Sequence, residues 1–297
     1  MKPPPIGKPE LIEEGIRRIL APNAGPMTYW GTNTWIVGEG HVAVIDPGPD
    51  DAAHLAAILS ATAGCTITHI LITHPHSDHS LLSRKLSEHS GAPILGYGAP
   101  QEGRSDVMER LSAISDLGGG EGIDEPHAPD QCVSEGDVIS GDNWTLNVTH
   151  TPGHFSGHLG FRLGDVLFSG DHVMDWASTL VSPPDGDLTA FRVTSQRLVE
   201  MNLRRCFPGH GAPIDSPANR LSWLLEHRQN RENAILGALD KSPRSIGDIT
   251  ASVYDDVPKR MHPMAARNVF AHLIDLCERN HVEAAPSLSL DAQFSIR

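Results

Sequence analysis

The sequence predicts an α/β protein, a four-layer αβ/βα sandwich that carries a small, mostly helical, winged-helix-like unit at its C-terminal end. Three observations predict it. Strand-like and helix-like runs alternate through two successive halves, and each half places polar clusters where strands stop. From Pro217 onward the texture changes to helices. At 297 residues the chain suits one large domain plus a small one, so the expected division is a body over residues 1–216 and an appendage over 217–297.

The elements follow in order. After a Pro-rich lead, residues 11–19 fit either a short edge strand or a helix. Residues 34–38 and 41–46 read as two strands around a Gly-Glu-Gly turn, a hairpin signal. Asp46-Pro47-Gly48-Pro49-Asp50 breaks the second strand, and residues 51–60 follow as a helix with an acidic N-cap. A β-rich run over 65–73 ends in a polar cluster, 81–90 is helical, and 93–97 is a further strand. Residues 100–129 are rich in Gly, Ser and acidic side chains without firm periodicity and read as a long, partly ordered insertion near the active face. The second half repeats the theme with a strand over 144–149, a histidine loop, and a hairpin over 159–163 and 165–168. A helix over 187–202 and a short strand at 206–207 complete it. Helices at 218–239, 245–253 and 263–280, followed by a short apolar strand, fit the winged-helix-like appendage.

Composition narrows the function classes. Hydrophobic residues at 39% and charged residues at 20% describe a globular chain able to bury a core. No apolar run approaches the roughly 18 residues of a membrane span, and the first ten residues carry four prolines and no signal-like apolar stretch. The four cysteines are widely spaced without a C-x-x-C pair, which fits a reducing cytoplasm and argues against a cysteine-built metal site. The formal charge is −14; from Pro217 onward ten basic and ten acidic residues cancel, so the body carries all of it. An acidic body disfavours tight binding of a polyanion.

The chemistry is concentrated in Thr73-His74-Pro75-His76-Ser77-Asp78-His79, at the end of a strand. On extended backbone, residues two apart point the same way, so His74 and His76 can converge on one metal. As the chain turns into the next helix, Asp78 and His79 can face a second. Three later strand ends add donors: His154 after a Pro-Gly turn, Asp171 after Ser-Gly, and His210 after Pro-Gly. Together they make two sets of N/O donors that suit zinc, with iron or manganese as alternatives.

The ordered set T-H-P-H-S-D-H, T-P-G-H, S-G-D and P-G-H-G over residues 73–211 resembles the metallo-β-lactamase superfamily. Residues 26–34 and 227–232, with the His262 to His272 stretch, look like its lactamase-beta-2-type branch, whose members add a C-terminal winged-helix-like domain. The resemblance implies one metal site of His74, His76 and His154 and a second of Asp78, His79 and His210, with Asp171 bridging. Ser80-Leu81-Leu82 departs from the small, glycine-containing residues of many relatives, which would alter the floor of the site without removing a ligand. The implied function is a metal-dependent hydrolase using a hydroxide activated by two divalent ions, with Asp78 orienting it as the catalytic carboxylate.

Around that centre, His158 and Asp185 are candidate supporting or substrate-contacting residues, with a structural hydrogen bond the commoner role for a histidine like His158. The stretch 182–187 either edges the substrate cleft or is a plain helix-capping turn. His172, His69 and His150 read as ordinary structural residues. A small acyl substrate, an ester or thioester, is the first expectation. A single-strand-preferring endoribonuclease is the alternative, supported by the branch resemblance and by Lys259, Arg260 and Arg267 and opposed by the charge. A metal-sensing winged-helix regulator is the third, weakened by a neutral appendage without a recognition-helix arginine cluster. The expected partners are a small-molecule substrate, RNA in the alternative reading, no membrane, and a second copy of the chain in a homodimer.

Overall fold

The computed structural model describes residues 2–113, 117, 122–239 and 242–297. The first sheet begins with β1 (Glu10–Glu13) and β2 (Ile16–Leu20), so the lead region that fitted either a strand or a helix is a pair of antiparallel strands. β3 (Asn33–Val37) and β4 (His41–Ile45) form the expected hairpin. Helix α1 (Ala52–Ala61) starts at Asp51, whose carboxylate accepts from the His54 amide and satisfies one of the unpaired donors of the first turn. β5 (Thr66–Leu71), the short helix α2 (Ser77–Ser80), α3 (Ser83–Ser90) and β6 (Ile94–Gly96) follow. The insertion contains a helix, α4 (Asp106–Ser112), before β7 (Gln131–Cys132) closes the seven-stranded sheet in the order β1 to β7. Part of the insertion lies outside the described residues.

The second sheet is built from β8 (Val138–Ser140), β9 (Thr145–His150), β10 (Leu159–Leu163), β11 (Val166–Gly170) and, after α5 (Leu188–Glu200), β12 (Arg205–Pro208). Its order is β12-β11-β10-β9-β8, with β11 and β12 parallel. Asp187 caps α5 by accepting from the Ala190 amide, so the turn before it has the helix-capping role. Between the sheets lies an apolar layer in which Trp35, Ile45 and Leu71 meet Leu146, Phe161, Phe168 and Phe207. A second layer packs the outer face of the first sheet against α1 and α3 through Ile36, Val44, Ile58, Leu82 and Leu86. A third packs the outer face of the second sheet against α5 through Leu167, Phe191 and Leu198. Those three apolar interfaces separate the four layers of an α/β sandwich, helices, sheet, sheet and helices.

The C-terminal helices are α6 (Pro217–Leu239), α7 (Ile246–Val253) and α8 (His262–Glu278), and a two-stranded antiparallel wing of β13 (Val282–Ala285) and β14 (Gln293–Ile296) follows them. The wing has two strands where one was expected. Helix α6 serves two cores: Leu221 and Leu224 pack under the second sheet, while Ile235 and Leu239 join the appendage core with Ile249, Val269 and Phe270. The insertion helix belongs to that second core through Val107, Met108 and Leu111, so it packs against the appendage and not as an isolated loop. Among the described residues no helix is long and apolar enough to cross a membrane.

Candidate metal centre

Every candidate ligand stands just past the C-terminal end of a strand. His74 and His76 follow β5, with Asp78 and His79 in α2; His154 follows β9, Asp171 follows β11, and His210 follows β12. Parallel pairing of β4 with β5 and of β11 with β12 brings those ends to one edge of the sandwich. Among the described residues, three donor groups form there, each with ligand atoms within 4.8 Å of one another: His74, His76 and His154; Asp78, His79 and His210; and His74, His79 and Asp171. The first two reproduce the two sets expected from the sequence, and the third places Asp171 between them.

The donor atoms face inward at close range. His76 Nδ1 lies 2.8 Å from His74 Nε2 and 3.2 Å from His154 Nε2. On the other side, His210 Nε2 lies 3.3 Å from His79 Nε2 and 3.2 Å from Asp78 Oδ2. Asp171 Oδ2 is 3.3 Å from His210 Nε2 and 3.9 Å from His154 Nε2, so one carboxylate reaches both groups.

The outward nitrogens of four of these histidines are already engaged, and their partners set the tautomers. His154 Nδ1 donates to the Leu180 carbonyl at 2.7 Å, and His210 Nδ1 to the Gly31 carbonyl at 3.2 Å. His79 Nδ1 meets Asp46 Oδ2 at 2.9 Å. Thr73 Oγ1 donates to Asp46 at 2.7 Å and so is left to accept from His74 Nδ1 at 3.0 Å. For His74 and His154 the inward nitrogens are therefore lone pairs that point at other lone pairs and at carboxylates. Among the described residues, Asp171 Oδ1 is buried with no hydrogen-bond partner. Such an arrangement is costly when left alone and is satisfied by divalent cations, so the donor set fits the metals that the sequence implied.

Electrostatics divide the two sides in the metal-free chain. Burial pushes His74 and His154 down, and burial with the neighbouring His154 holds His76 at about 3, so this group is neutral and ready to coordinate. On the other side, burial also works against protonation, but Asp171 and Asp78 outweigh it and hold His210 at about 9. His79 is raised in the same way by Asp78, Asp171 and Asp46. The carboxylates of Asp78 and Asp171 sit below the usual range: burial would raise them, and the neighbouring histidines overcome it.

The remaining candidates separate. His158 is buried beneath Asp171: its Nδ1 meets Thr151 Oγ1 at 2.7 Å and its Nε2 accepts from the Asp171 amide at 3.2 Å. It supports the bridging residue without joining a donor group. Asp185 is also outside the three groups and is paired with Arg104 at 2.6 Å. His172 turns away to Ser195 Oγ at 3.0 Å. Ser80, in the departing Ser-Leu-Leu stretch, donates to Asp124 at 2.7 Å, while Leu82 enters the core under the first sheet. Arg267 contacts Ser182 Oγ at 2.9 Å and the Pro183 carbonyl, so one of the three cations expected to meet phosphate is engaged within the chain.

Sequence reasoning missed Asp46, which ties His79 to Thr73 and His74. Its place directly after a strand was visible, but the Pro-Gly-Pro that follows marked it only as a strand breaker. It missed Thr32 too, whose hydroxyl reaches Asp78 Oδ2 at 3.2 Å. The glycine of Pro208-Gly209-His210 is required by space: a Cβ there would stand 2.4 Å from Asp171 Oδ1 and 2.6 Å from His79 Cε1.

Comparison with known proteins gives the family and the fold. Residues 27–210 match the family model described as Metallo-beta-lactamase superfamily, and residues 245–288 match that of the Beta-lactamase associated winged helix domain. The chain is similar to "Beta-lactamase-like protein 2 homolog" of Caenorhabditis elegans, at 29% identity over 92% of this chain and 88% of that protein. It is also similar to "Atrochrysone carboxyl ACP thioesterase" of Aspergillus fumigatus, at 28% identity over 82% of this chain and 72% of the relative. Among solved structures, a Beta-lactamase domain protein from Burkholderia ambifaria superposes with a TM-score of 0.81 at 20% identity, over 99% of this chain and 95% of that one, which speaks to the fold.

Proposed function

The chain belongs to the metallo-β-lactamase superfamily, and from that premise we propose that it is a two-metal hydrolase of small acyl thioesters. The observation that carries the reading is the pair of inward-facing donor groups, four of whose histidines have their outward nitrogens committed, joined by a buried Asp171 whose Oδ1 has no hydrogen-bond partner among the described residues. Zinc suits these N/O donors, with iron or manganese as alternatives. Two such ions would polarise the substrate carbonyl and bring the pKa of a water close to neutrality.

The protein's own part is positioning. His74, His76 and His154 make one side of the cradle, His79 and His210 the other, and Asp171 spans them. Asp78 is the more exposed carboxylate, with 24% of its side chain accessible against 9% for Asp171. Held by Thr32 and faced by His210, it is placed to accept a hydrogen bond from the attacking water and aim it at the carbonyl carbon. The C–S bond then breaks, releasing a carboxylic acid and a thiol.

An acyl substrate is favoured over RNA by the charge of −14, all of it on the body, and by the engagement of Arg267 within the chain. The fungal relatives named as thioesterases support the same class. The test is hydrolysis of a thioester panel and of single-stranded RNA by the zinc-reconstituted protein beside Asp78→Ala. Thioester turnover that falls about 10³-fold in the variant is the expected result. RNA cleavage without thioester turnover would overturn it.

A further inference from the structure

The segment between Asp171 and α5 runs outside both sheets, so its backbone carbonyls need partners from elsewhere. The C-terminal helices provide them. Arg220 of α6 donates to the Met174 carbonyl at 2.7 Å and the Ala177 carbonyl at 2.6 Å. Arg228, 2% exposed and also on α6, donates to the Ser178 carbonyl at 2.5 Å and to the Thr179 carbonyl. Arg267 of α8 holds the Pro183 carbonyl, and Asn268, which accepts from Arg228 at 3.1 Å, takes the Val181 amide at 3.4 Å.

One carbonyl in this stretch faces the other way. Thr179 has φ +48°, a left-handed conformation that a β-branched residue adopts only when its surroundings impose it. The turn there separates the Ser178 and Thr179 carbonyls, bound to Arg228, from the Leu180 carbonyl, which accepts from His154 Nδ1 at 2.7 Å. That last bond leaves His154 Nε2 as the inward lone pair.

We propose that Arg228 and Arg267 of the C-terminal helices are positioning residues for the metal centre, holding segment 174–183 so that Leu180 orients His154. The appendage is then part of the metal site although it contributes no ligand. This inference rests on the reading of His154 as a metal ligand.

The test is metal binding by the full chain, measured as zinc stoichiometry and affinity by competition with a chromophoric chelator, with thermal unfolding alongside. Arg228→Met is expected to weaken one of two bound zinc ions by about 10- to 100-fold and leave the other unchanged. Arg192→Met is the control. It cuts the contacts of α5 with Glu232 at 2.5 Å and Asp275 at 3.5 Å, joining body and appendage without touching segment 174–183. It should bind both ions as the wild type does, even if it melts earlier. Where Arg228→Met fails to fold, Arg228→Lys and Arg267→Lys keep the charge but lose the fork that spans neighbouring acceptors, and should show the same selective weakening. Folded variants at Arg228 that bind both ions normally, or equal weakening by Arg192→Met, would overturn the proposal. A wild-type chain that takes up no zinc would instead overturn the metal-centre reading beneath it.

Discussion

Replacing Gly209 by alanine adds one methyl group at the point where the two donor groups meet. The amide of Gly209 donates to the Gly170 carbonyl at 2.9 Å and its carbonyl accepts from the Asn33 amide at 2.7 Å, so the backbone is held on both sides. The new Cβ would stand 2.4 Å from Asp171 Oδ1 and 2.6 Å from His79 Cε1. Ordinary contact needs about 3.5 Å, so one of these groups must retreat by about 1 Å. A displacement of that size in a catalytic constellation costs about 10²-fold in rate, or about 2.7 kcal/mol in kcat/KM. Overpacking should cost a further 1–3 kcal/mol or so of stability, at about 2–4 °C of Tm per kcal/mol for a domain this large. The assay is thioester kcat/KM with zinc content and Tm measured on the same preparation. Gly237→Ala, at an exposed position of α6 where a Cβ meets nothing within 4 Å among the described residues, is the matched control and should leave activity unchanged. A Gly209→Ala protein with wild-type zinc content and kcat/KM within about threefold of wild type would refute the claim that Asp171 and His79 must hold these positions.

Two further outcomes follow. In the metal-free protein His210 is held at about 9, above its ordinary 6.5, because Asp171 and Asp78 outweigh burial. The stability it contributes is complete below 6.5 and is lost as pH rises toward 9. Under the proposed function a zinc ion would replace that proton, so the Tm difference between zinc-loaded and chelator-stripped protein should widen across this window; a constant difference would contradict it. Trp35→Ala should cost about 3–5 kcal/mol in denaturant unfolding. Trp35 is 1% exposed, packs against Phe207 and Phe168 at 4.9 and 5.8 Å, and donates to the Pro208 carbonyl at 3.2 Å. A loss under about 1 kcal/mol would show that the inter-sheet layer closes around the gap.

The donor residues were legible because four of them fall in the six-residue run 74–79 that follows one strand end, and the others follow recognisable turns. Strand ends in this architecture are where side chains leave the sheet, so the sequence pattern and the spatial cluster are the same fact seen twice. The hairpins and the capped helices at Asp51 and Asp187 were legible for local reasons: turn glycines and side chains that accept from amides three residues on. What holds the ligands was not. Leu180 and Gly31 act through backbone carbonyls, which carry no residue identity, and each lies far along the chain from the histidine it orients. The insertion helix was missed because its apolar side chains face a core contributed by residues more than a hundred positions later. Periodicity over seven residues is too short to reveal that partner.

Helix α6 also constrains how the chain can be recombined. A cut at residue 216 takes Leu221 and Leu224 from beneath the second sheet, and a cut after residue 239 carries Ile235 and Leu239 away from the appendage core. Neither fragment inherits a complete interior. Grafting this appendage onto another body would require the junction to fall inside the helix, between Leu224 and Ile235, with the first turns taken from the recipient and the last from the donor. By the same geometry the two lobes should open together under heat or protease, as one cooperative unit.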